Sequence, residues 1–311
     1  MKILLVGGAG YVGGAITDLL KKKHNVIVYD NLLYEENYLK PCNFVYGDIR
    51  DSKKILQYYK WADVIVWTAA LVGDGACSIN PDITIDINVK TIKFLVKNFN
   101  KKIIFFSTCS VYGAREGILD EKSPTNPLSV YAHSKVQAEK ILSKKNCIIF
   151  RLGTLFGIGD SFSRIRMDLV VNTLVAKAIY KKEITVFGGE QYRPLLHVKD
   201  VALAVELAIK SNKKGIYNLH HKNLIIYQIA DKIKKTFKGL KINKINIKFQ
   251  DLRNYRVSSK KAIRDFKFKP KYDLRYGIEE IKNLLNQKRI KDIDNPRYTN
   301  QAYLKKFIKE A

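Results

Sequence analysis

A glycine-rich segment directly after the first apolar run constrains the fold most strongly. Residues 2–6 (KILLV) are almost wholly apolar, and Gly7, Gly10 and Gly13 follow at three-residue spacing. An amphipathic segment with helical periodicity begins at Tyr11. In a strand–turn–helix unit these glycines permit a tight turn, close approach of a pyrophosphate and close packing of the helix on the strand. The pattern therefore predicts a dinucleotide-binding loop at a helix N-terminus.

An aspartate at the end of the second apolar run indicates which dinucleotide binds. Asp30 follows the glycine loop by roughly 20 residues, where a carboxylate accepts hydrogen bonds from the adenosine ribose and repels a 2′-phosphate. Because no arginine follows closely, the sequence predicts NAD rather than NADP. Asp48 and Ile49 either flank the adenine or form an ordinary turn. The expected cofactor-binding residues are Gly7, Gly10, Tyr11, Val12, Gly13, Asp30, Asn31, Asp48, Ile49, Ala69, Ala70, Tyr131 and Lys135.

The first half of the chain alternates short β-branched runs with helical patterns. Predicted strands cover 2–6, 25–29, 43–46, 63–67, 102–107 and 147–151, and predicted helices cover 11–23, 52–59, 81–98 and 130–144. Strands this uniformly apolar are typical of a parallel sheet with both faces covered. The predicted fold class is therefore α/β, a doubly wound parallel sheet (Rossmann) with a smaller C-terminal α/β substrate lobe.

The rhythm of the pattern changes after about residue 152, which suggests a division into domains. We expect an NAD-binding Rossmann domain at 1–152, to which parts of 183–220 can return, a substrate lobe at 153–288 and a peripheral tail at 289–311. In the lobe, helices are predicted at 167–180, 198–210, 227–237 and 276–286, and strands at 183–187, 216–219 and 244–249.

Composition excludes several classes of protein. No apolar run reaches the ~18 residues that a membrane span requires, and the apolar N-terminal run is too short for a signal peptide. Four cysteines without a C-x-x-C pair fit a reducing compartment, with neither a metal site nor a disulfide framework. The net charge of +27 would suit a nucleic acid, but lysine is spread over nearly every surface segment. We therefore expect a cytoplasmic protein without membrane or nucleic-acid partners.

A tyrosine and a lysine four residues apart begin the predicted helix 130–144. Residues at this spacing share a helix face, so the ammonium group of Lys135 can lie beneath the Tyr131 phenol and lower its pKa from the usual ~10. Thr108 follows strand 102–107 and emerges at the carboxyl edge of the sheet, where its hydroxyl can bridge a substrate oxygen and the phenol. The expected catalytic residues are Thr108, Tyr131 and Lys135.

A longer set of motifs resembles one known family. The motifs are GGAGYVG at 7–13, YGDIRD at 46–51, TAALVG at 68–73, STCSVYG at 107–113, NPLSVYAHSK at 126–135, RLGTLFG at 151–157, RPLLHVKDVA at 193–202 and RNYRVS near 253. From residue 1 to about 285 the chain resembles the extended short-chain dehydrogenases/reductases, the nucleotide-sugar epimerases and dehydratases. The resemblance implies bound NAD(P), a nucleoside-diphosphate sugar in the C-terminal lobe, and Thr108, Tyr131 and Lys135 as the catalytic triad.

The predicted helix 81–98 carries more apolar surface than one face of a sheet can cover. Its main stripe includes Ile85 and Val89, whereas Ile83, Ile87 and Phe94 lie off that stripe. These three residues need a second partner. The partner is either an adjacent helix of the same chain or a second subunit. The resemblance implies a homodimer joined through a four-helix bundle of the helices 81–98 and 131–144.

Several positions depart from the pattern of the family. Dehydratases of the family carry an Asp-Glu pair directly after the catalytic threonine, where this chain has Cys109 and Ser110. A 4,6-dehydratase is therefore disfavoured, and we interpret Cys109 as a packing residue. Thr154 replaces an asparagine that touches the sugar diphosphate, and Trp67 replaces the usual histidine before the TAA segment.

Arginines in the second half of the chain are candidates for the substrate diphosphate, because guanidinium groups match phosphate oxygens. Arg193 matches a family arginine that pairs with the diphosphate, and Arg253 or Arg256 is expected to supply a second. Arg164 and Arg166 lie where substrate loops usually fall, although a solvated surface charge explains them equally well. The expected substrate-binding residues are Thr154, Arg164, Arg166, Arg193, Arg253 and Arg256.

Three functions remain open on the sequence. The first is NAD-dependent oxidation at C4 of a nucleotide sugar followed by reduction on the other face, a 4-epimerase. The second is a 4-dehydrogenase that releases the 4-keto sugar. The third, from a different class, is a non-catalytic protein that binds NAD or nucleic acid on the same fold. Intact Tyr131 and Lys135 favour an enzyme.

Overall fold

The order of helices and strands is that of a doubly wound α/β protein. The computed structural model describes residues 1–160, 162, 164–245, 253–290 and 292–309. Its strands are β1 (Lys2–Val6), β2 (Asn25–Asp30), β3 (Asn43–Tyr46), β4 (Val64–Trp67), β5 (Lys102–Thr108), β6 (Ala114–Leu119), β7 (Cys147–Leu152), β8 (Thr154–Phe156), β9 (Glu183–Phe187), β10 (Tyr192–His197), β11 (Gly215–Leu219), β12 (Lys222–Ile225), β13 (Lys241–Ile245) and β14 (Asn254–Val257).

The helices mostly cover the stretches between these strands. They are α1 (Tyr11–Leu20), α2 (Ser52–Trp61), α3 (Asp74–Cys77), α4 (Pro81–Ile85), α5 (Thr91–Asn98), α6 (Val130–Leu142), α7 (Val170–Lys181), α8 (Val198–Lys210), α9 (Ile226–Thr236), α10 (Lys260–Phe266), α11 (Leu274–Asn286) and α12 (Asn300–Lys309). A π-helical turn (Asp86–Lys90) joins α4 to α5, and 3₁₀ turns cover Cys109–Tyr112 and Pro296–Tyr298. No described helix has the length and apolar character to cross a membrane.

Within the described residues, seven strands form one parallel sheet in the order β11-β7-β5-β4-β1-β2-β3. From β1 the chain builds β2 and β3 on one side and then returns to β4 on the other side of β1. The strand order therefore reverses between β1 and β4. In open parallel sheets, ligands bind in the crevice at the carboxyl ends of the strands where this reversal occurs.

Both faces of the central sheet are buried, which explains the apolar strands. Ile3 and Leu5 pack into a core beneath α1 and α8, whereas Leu4 and Val6 pack beneath α2, α5 and α6 on the opposite face. Alternate side chains of one strand thus enter two different cores. The observed bounds of the six strands predicted for this domain agree with the sequence to within one residue.

The segment predicted as one helix over 81–98 is interrupted by the π-helical turn. The turn buries Asn88, whose side chain accepts from Leu71 N–H (2.9 Å) and donates to Leu71 O (3.0 Å). Ile83 and Ile87 pack in the same apolar cluster as Leu71. The ring of Phe94 contacts that of Tyr59, with the ring centres 6.1 Å apart. The off-stripe residues are therefore at least partly covered by this chain itself.

A second, smaller lobe is built beyond β7, and the chain then returns to the main sheet. Strands β12, β10 and β8 form one small sheet, and β13 pairs with β9. The helix α8 then leads to β11, which extends the central sheet beside β7. Of the strand predicted at 244–249, only 244 and 245 are seen, as the end of β13, because 246–249 lie outside the described residues.

The C-terminal segment, expected at 289–311 as a peripheral tail, includes the helix α12, which contacts the body of the protein. The helix α12 packs on α3, and Leu304 is buried with Leu71, Ala76 and Cys77. The residues just before Leu304 reach the cleft between the two lobes. The charged composition of the segment conceals this contact, because only a few of its side chains face the body of the protein.

Candidate active site

The glycine loop joins β1 to α1 in the predicted geometry. A Cβ atom built at Gly13 would lie 2.2 Å from Gly7 O, and one at Gly7, where φ is +85°, would lie 2.4 Å from Ala69 N. Neither position tolerates a side chain. Among the described residues, no side chain caps the N-terminus of α1 at Gly10. The N–H groups of the first helical turn therefore remain suited to an anion.

Asp30 lies at the end of β2, beside this loop. Its two carboxylate oxygens accept from Ala9 N–H (3.0 Å) and Leu32 N–H (2.8 Å). Burial raises the pKa of Asp30, and these backbone donors oppose that rise. Asp30 lines a cavity of about 120 Å³, which we call the Asp30 cavity. Its walls also include Gly7, Gly10, Asn31, Asp48, Ile49, Ala69 and Ala70.

The predicted adenine-flanking pair, Asp48 and Ile49, also lines the Asp30 cavity. The Asp48 carboxylate accepts from Arg50 (2.7 Å) and from the Asn31 amide (3.3 Å). The Arg50 hydrogen bond is the main cause of a lowered pKa at Asp48. The glycine cradle, the Asp30 carboxylate and this wall fit an NAD molecule. No cluster of three metal-ligating side chains occurs in the part of the chain that the structure describes.

Tyr131 and Lys135 lie on the first turns of α6, one turn apart. Ser129 caps this helix by accepting from Ala132 N–H (3.2 Å). Lys135 is 4% exposed, and its ammonium group donates to Phe106 O (2.9 Å) and lies 6.0 Å from the centre of the Tyr131 ring. Burial lowers the pKa of Lys135 to about 8. The amine is therefore close to its titration range at physiological pH.

The pKa of Tyr131 does not follow the expectation from the sequence. Desolvation raises the Tyr131 pKa, and the nearby Cys77 and Asp74 add to the rise. The Arg166 guanidinium and the Thr108 hydroxyl oppose it. Loss of hydration around the phenol thus outweighs the cations near it.

Thr108 is the last residue of β5 and lines the same cleft as Tyr131. Its hydroxyl oxygen accepts from Ser110 N–H (3.1 Å). Cys109 points away into a core, where it is fully buried and its thiol donates to Arg151 O (3.3 Å). Burial raises the pKa of Cys109, so its reactive thiolate form is suppressed. Ser110 faces the cleft and contacts the Tyr255 hydroxyl (3.3 Å).

A cleft of about 710 Å³ separates the two lobes, and we call it the Tyr131 cleft. It adjoins the Asp30 cavity at Gly7 and Gly10. The sequence-predicted residues that line it are Gly7, Gly10, Tyr11, Val12, Gly13, Ala70, Thr108, Tyr131, Lys135, Thr154, Arg164, Arg166, Arg193 and Arg253. The structure therefore brings most of the predicted catalytic, cofactor-binding and substrate-binding residues into one continuous site.

Two of the predicted diphosphate arginines lie together in this cleft. Arg193 is 7% exposed and donates to Tyr192 O (2.8 Å) and Arg253 O (2.6 Å). Arg253 pairs with Asp74 (2.9 Å) across the cleft. Arg256 instead lies on β14, where its guanidinium is 4.9 Å from the Tyr192 ring. Arg256 does not belong to the described residues that line the Tyr131 cleft.

Arg164 and Arg166 are both held inside the protein rather than solvated. Arg166 forms a two-pronged pair with Asp168 at 2.9 and 3.0 Å. Arg164 stacks on Tyr34 with its guanidinium 3.6 Å from the ring centre and donates to Arg297 O (3.2 Å). Burial lowers the pKa of Arg164 to about 10. The structure therefore disagrees with the surface-charge interpretation of both residues.

Sequence reasoning missed three groups in or beside the Tyr131 cleft. Asp74 accepts from the Ser129 hydroxyl (2.6 Å) and lines the cleft. Cys77 is buried, and desolvation raises its pKa to about 12. Asn300 reaches the cleft from α12. A signal was available only for Asp74, because the glycines on either side of it mark a close approach of backbone to a ligand or neighbour.

Comparisons with known proteins agree with this geometry. The family model "NAD dependent epimerase/dehydratase family" matches residues 3–219. A putative UDP-glucose 4-epimerase of Methanocaldococcus jannaschii is 30% identical over 307 residues, which cover 90% of this chain and 97% of the relative. A UDP-glucose 4-epimerase of Lactobacillus helveticus is 28% identical, covering 75% and 82%.

Solved structures show the same fold. A UDP-glucose 4-epimerase of Thermotoga maritima, determined with UDP-glucose, superimposes with a TM-score of 0.81 at 22% identity and covers 92% of this chain and 99% of that one. A UDP-glucose 4-epimerase of Thermus thermophilus, in complex with NAD, has a TM-score of 0.79 at 23% identity, covering 91% and 99%. The chain is thus a member of the NAD-dependent epimerase/dehydratase family, with NAD as its cofactor.

Proposed function

We propose that this protein is a nucleotide-sugar 4-epimerase, which oxidises C4 of a nucleoside-diphosphate sugar and reduces the ketone on its other face. One observation carries the proposal. Thr108, Tyr131 and Lys135 lie in a single cleft that continues into the glycine loop and the Asp30 cavity. This arrangement puts a proton-transfer group beside the place where the fold binds a dinucleotide.

The residues of the chain have separate tasks in this reaction. Tyr131 takes the proton of the sugar hydroxyl and later returns it, and the Thr108 hydroxyl orients that oxygen. The glycine loop and Asp30 would hold NAD, which would supply reversible hydride transfer at C4 and, in its oxidised form, a positive charge. Lys135, held by Phe106 O, supplies a second positive charge below Tyr131. Together these charges oppose the desolvation that keeps the phenol protonated.

Two residues are proposed to hold the substrate diphosphate. Arg193 and Arg253 line the Tyr131 cleft, and the Arg193 guanidinium donates a hydrogen bond of 2.6 Å to Arg253 O. Arg253 also pairs with Asp74, which holds its guanidinium in the cleft. Two guanidinium groups in this arrangement match the oxygens of a diphosphate. Thr154, at the start of β8, lines the same cleft, and its side chain is shorter than that of the usual asparagine.

The structure also supports an argument against elimination of water. An elimination at C5 and C6 needs an acid and a base close to the sugar. The two residues that follow Thr108 in the sequence are Cys109, whose thiol is fully buried, and Ser110, whose hydroxyl is neutral. Neither group supplies that pair. The similarity to a putative UDP-glucose 4-epimerase of M. jannaschii and a UDP-glucose 4-epimerase of L. helveticus supports the same conclusion.

The proposal includes a cytoplasmic homodimer joined through α4, α5 and α6. The structure weakens one argument for this interface, since Ile83, Ile87 and Phe94 have partners within the chain. The proposed dimer therefore rests on the family resemblance alone. Light scattering of the purified protein should give twice the chain mass at micromolar concentration. A mass of one chain would contradict the proposal.

Product analysis tests the reaction. Purified protein should convert UDP-glucose to UDP-galactose without net formation of NADH, and the denatured protein should release NAD, as mass spectrometry can show. The variant Tyr131→Phe should keep NAD and lose at least ~10²-fold in turnover, whereas Cys109→Ala should keep most of its activity. A 4-dehydrogenase would instead accumulate one NADH for each 4-keto sugar. Near-full activity of Tyr131→Phe would contradict the proposal.

A further inference from the structure

A segment near the C-terminus is fastened to the C-terminal lobe beside the cleft. Met167 N–H donates to Tyr298 O (2.9 Å), and Asn300 N–H donates to the Asp168 carboxylate (2.9 Å). Asp168 is the same residue that pairs with Arg166. The start of α12 is therefore tied to a buried ion pair rather than resting loosely on the surface.

The same segment is also fastened to the Rossmann domain. The Asn300 amide donates to Val72 O (2.8 Å), and the Arg297 guanidinium lies 3.4 Å from the Glu35 carboxylate. Tyr303 contacts Tyr34, with ring centres 5.4 Å apart, and Leu304 is buried. Residues 297–304 thus bridge both lobes at one end of the Tyr131 cleft, and this span is here called the C-terminal bridge.

Three neighbouring residues of the C-terminal bridge line the cleft: Thr299, Asn300 and Gln301. A Cβ atom built at Gly75 would lie 2.5 Å from Gln301 Oε1, so the Gln301 amide packs directly on the bare backbone of α3. Gln301 is exposed, and its side chain makes no hydrogen bond within the part of the chain that the structure describes. It therefore retains both donor and acceptor capacity for a ligand in the cleft.

The bridge lies within electrostatic reach of the catalytic tyrosine. Arg166, whose partner Asp168 also accepts from Asn300 N–H, lowers the pKa of Tyr131. Asp74, the first residue of α3 and the neighbour of Gly75, acts on the same phenol in the opposite direction. Thr299, Asn300 and Gln301 thus line the same cleft as Tyr131 and as Arg166 and Asp74, the two charged residues that act on its phenol.

We propose that the C-terminal bridge forms one wall of the sugar-binding part of the cleft, with Gln301 as the side chain that contacts the sugar. Asn300 is its positioning residue, because it is 4% exposed and fixes the first turn of α12 to Val72 and Asp168. The Gln301 amide, which both donates and accepts, matches a hydroxyl or acetamido substituent of the sugar, because such groups also donate and accept hydrogen bonds. This inference rests on the proposed epimerase function.

Three single variants and one double variant test the inference with UDP-glucose as the probe. The variants are Gln301→Ala, Asn300→Ala, their combination, and Lys305→Ala, an exposed position of the same helix that serves as the control. A hydrogen bond contributes about 1 kcal/mol, so Gln301→Ala should raise KM about fivefold. It should also change the ratio of kcat/KM for UDP-glucose and UDP-N-acetylglucosamine at least ~3-fold, while bound NAD stays constant.

The double variant separates a positioning role from a general loss of stability. If Asn300 acts through Gln301, the double variant should show the same substrate ratio as Gln301→Ala alone. Additive changes in that ratio would overturn the positioning role. Gln301 is exposed, so its variant keeps the test valid if Asn300→Ala does not fold.

The outcomes distinguish the two proposals. A wild type that interconverts UDP-glucose and UDP-galactose, together with a Gln301→Ala variant that matches Lys305→Ala in KM and in substrate ratio, would overturn the inference and leave the proposed function standing. A wild type without that activity overturns the proposed function, and the inference falls with it.

Discussion

Lys135 is expected to destabilise the folded protein below pH 8, and replacing it by methionine should reveal this. Its amine is 4% exposed and its pKa is lowered to about 8 by burial, against a usual value of ~10.4 for lysine. Below pH 8 both the folded and the unfolded chain carry the proton, and only the folded chain bears the cost of burying the charge. Between about pH 8 and 10.4 the folded chain releases its proton first, so the free energy of unfolding rises with pH.

The difference between wild type and Lys135→Met isolates this effect. A pKa gap of roughly 2.5 units, at 1.36 kcal/mol per unit, limits the effect to about 3 kcal/mol. Because the unfolded lysine is itself partly deprotonated at pH 10, we expect the wild type to gain about 2.5 kcal/mol relative to the variant between pH 7 and pH 10. Other titrating groups occur in both proteins and cancel in the comparison.

Urea unfolding of the NAD-free proteins at pH 7, 8, 9 and 10 measures this gain. The variant Lys140→Met, on the exposed face of the same helix, controls for loss of one amine. The Lys135 variant should also lose at least ~10²-fold in turnover, because Tyr131 loses the ammonium group that lies 6.0 Å from its ring centre. If the difference in the free energy of unfolding between wild type and Lys135→Met stays constant to within ~0.5 kcal/mol from pH 7 to 10, the argument is refuted. Such a result would mean that the amine is hydrated in the folded protein.

Three further variants test the cofactor site and the buried thiol. Asp30→Ala should narrow the preference for NAD over NADP in titration calorimetry, and equal affinities in the wild type would contradict the role of the carboxylate. Gly13→Ala should abolish NAD retention, since the new Cβ would lie 2.2 Å from Gly7 O; mass spectrometry of the denatured protein measures it. Cys109→Ala should lower the free energy of unfolding by about 1 kcal/mol. It should change kcat less than ~3-fold, because the thiol is buried away from the cleft. Loss of activity in this variant would mean that the thiol takes part in the reaction.

The parts of the candidate site whose position in the fold agrees with the sequence analysis depend on short stretches of sequence. The glycine loop needs only residues 7–13 and their neighbours, and the shared helix face of Tyr131 and Lys135 needs only α6. Asp30 was found because it ends a strand at a characteristic distance from the loop. In each case local backbone geometry places the group, so the linear pattern contains the relevant information.

Other parts depend on contacts between distant segments, which local patterns do not contain. The sequence predicts that the Lys135 ammonium group lies beneath the Tyr131 phenol. It does not predict that loss of hydration outweighs the nearby cations and raises the Tyr131 pKa. It equally gives no means of pairing Arg253 with Asp74, which are separated by most of the chain. The Arg164 stack on Tyr34 is of the same kind, since both residues look like ordinary surface side chains when read alone.

The C-terminal segment shows most clearly why composition misleads. Its charged residues predict a solvated tail, and the family model ends at residue 219. Yet attachment of a short helix requires only a few buried contacts, and these are supplied here by Leu304 and by the Asn300 amide, both about 95% buried. The carboxylate of Asp168 joins these contacts to Arg166, so one aspartate couples the end of the chain to the charge that acts on Tyr131. A segment can thus be polar in composition and still be part of the site, when a few of its atoms satisfy buried groups of the protein body.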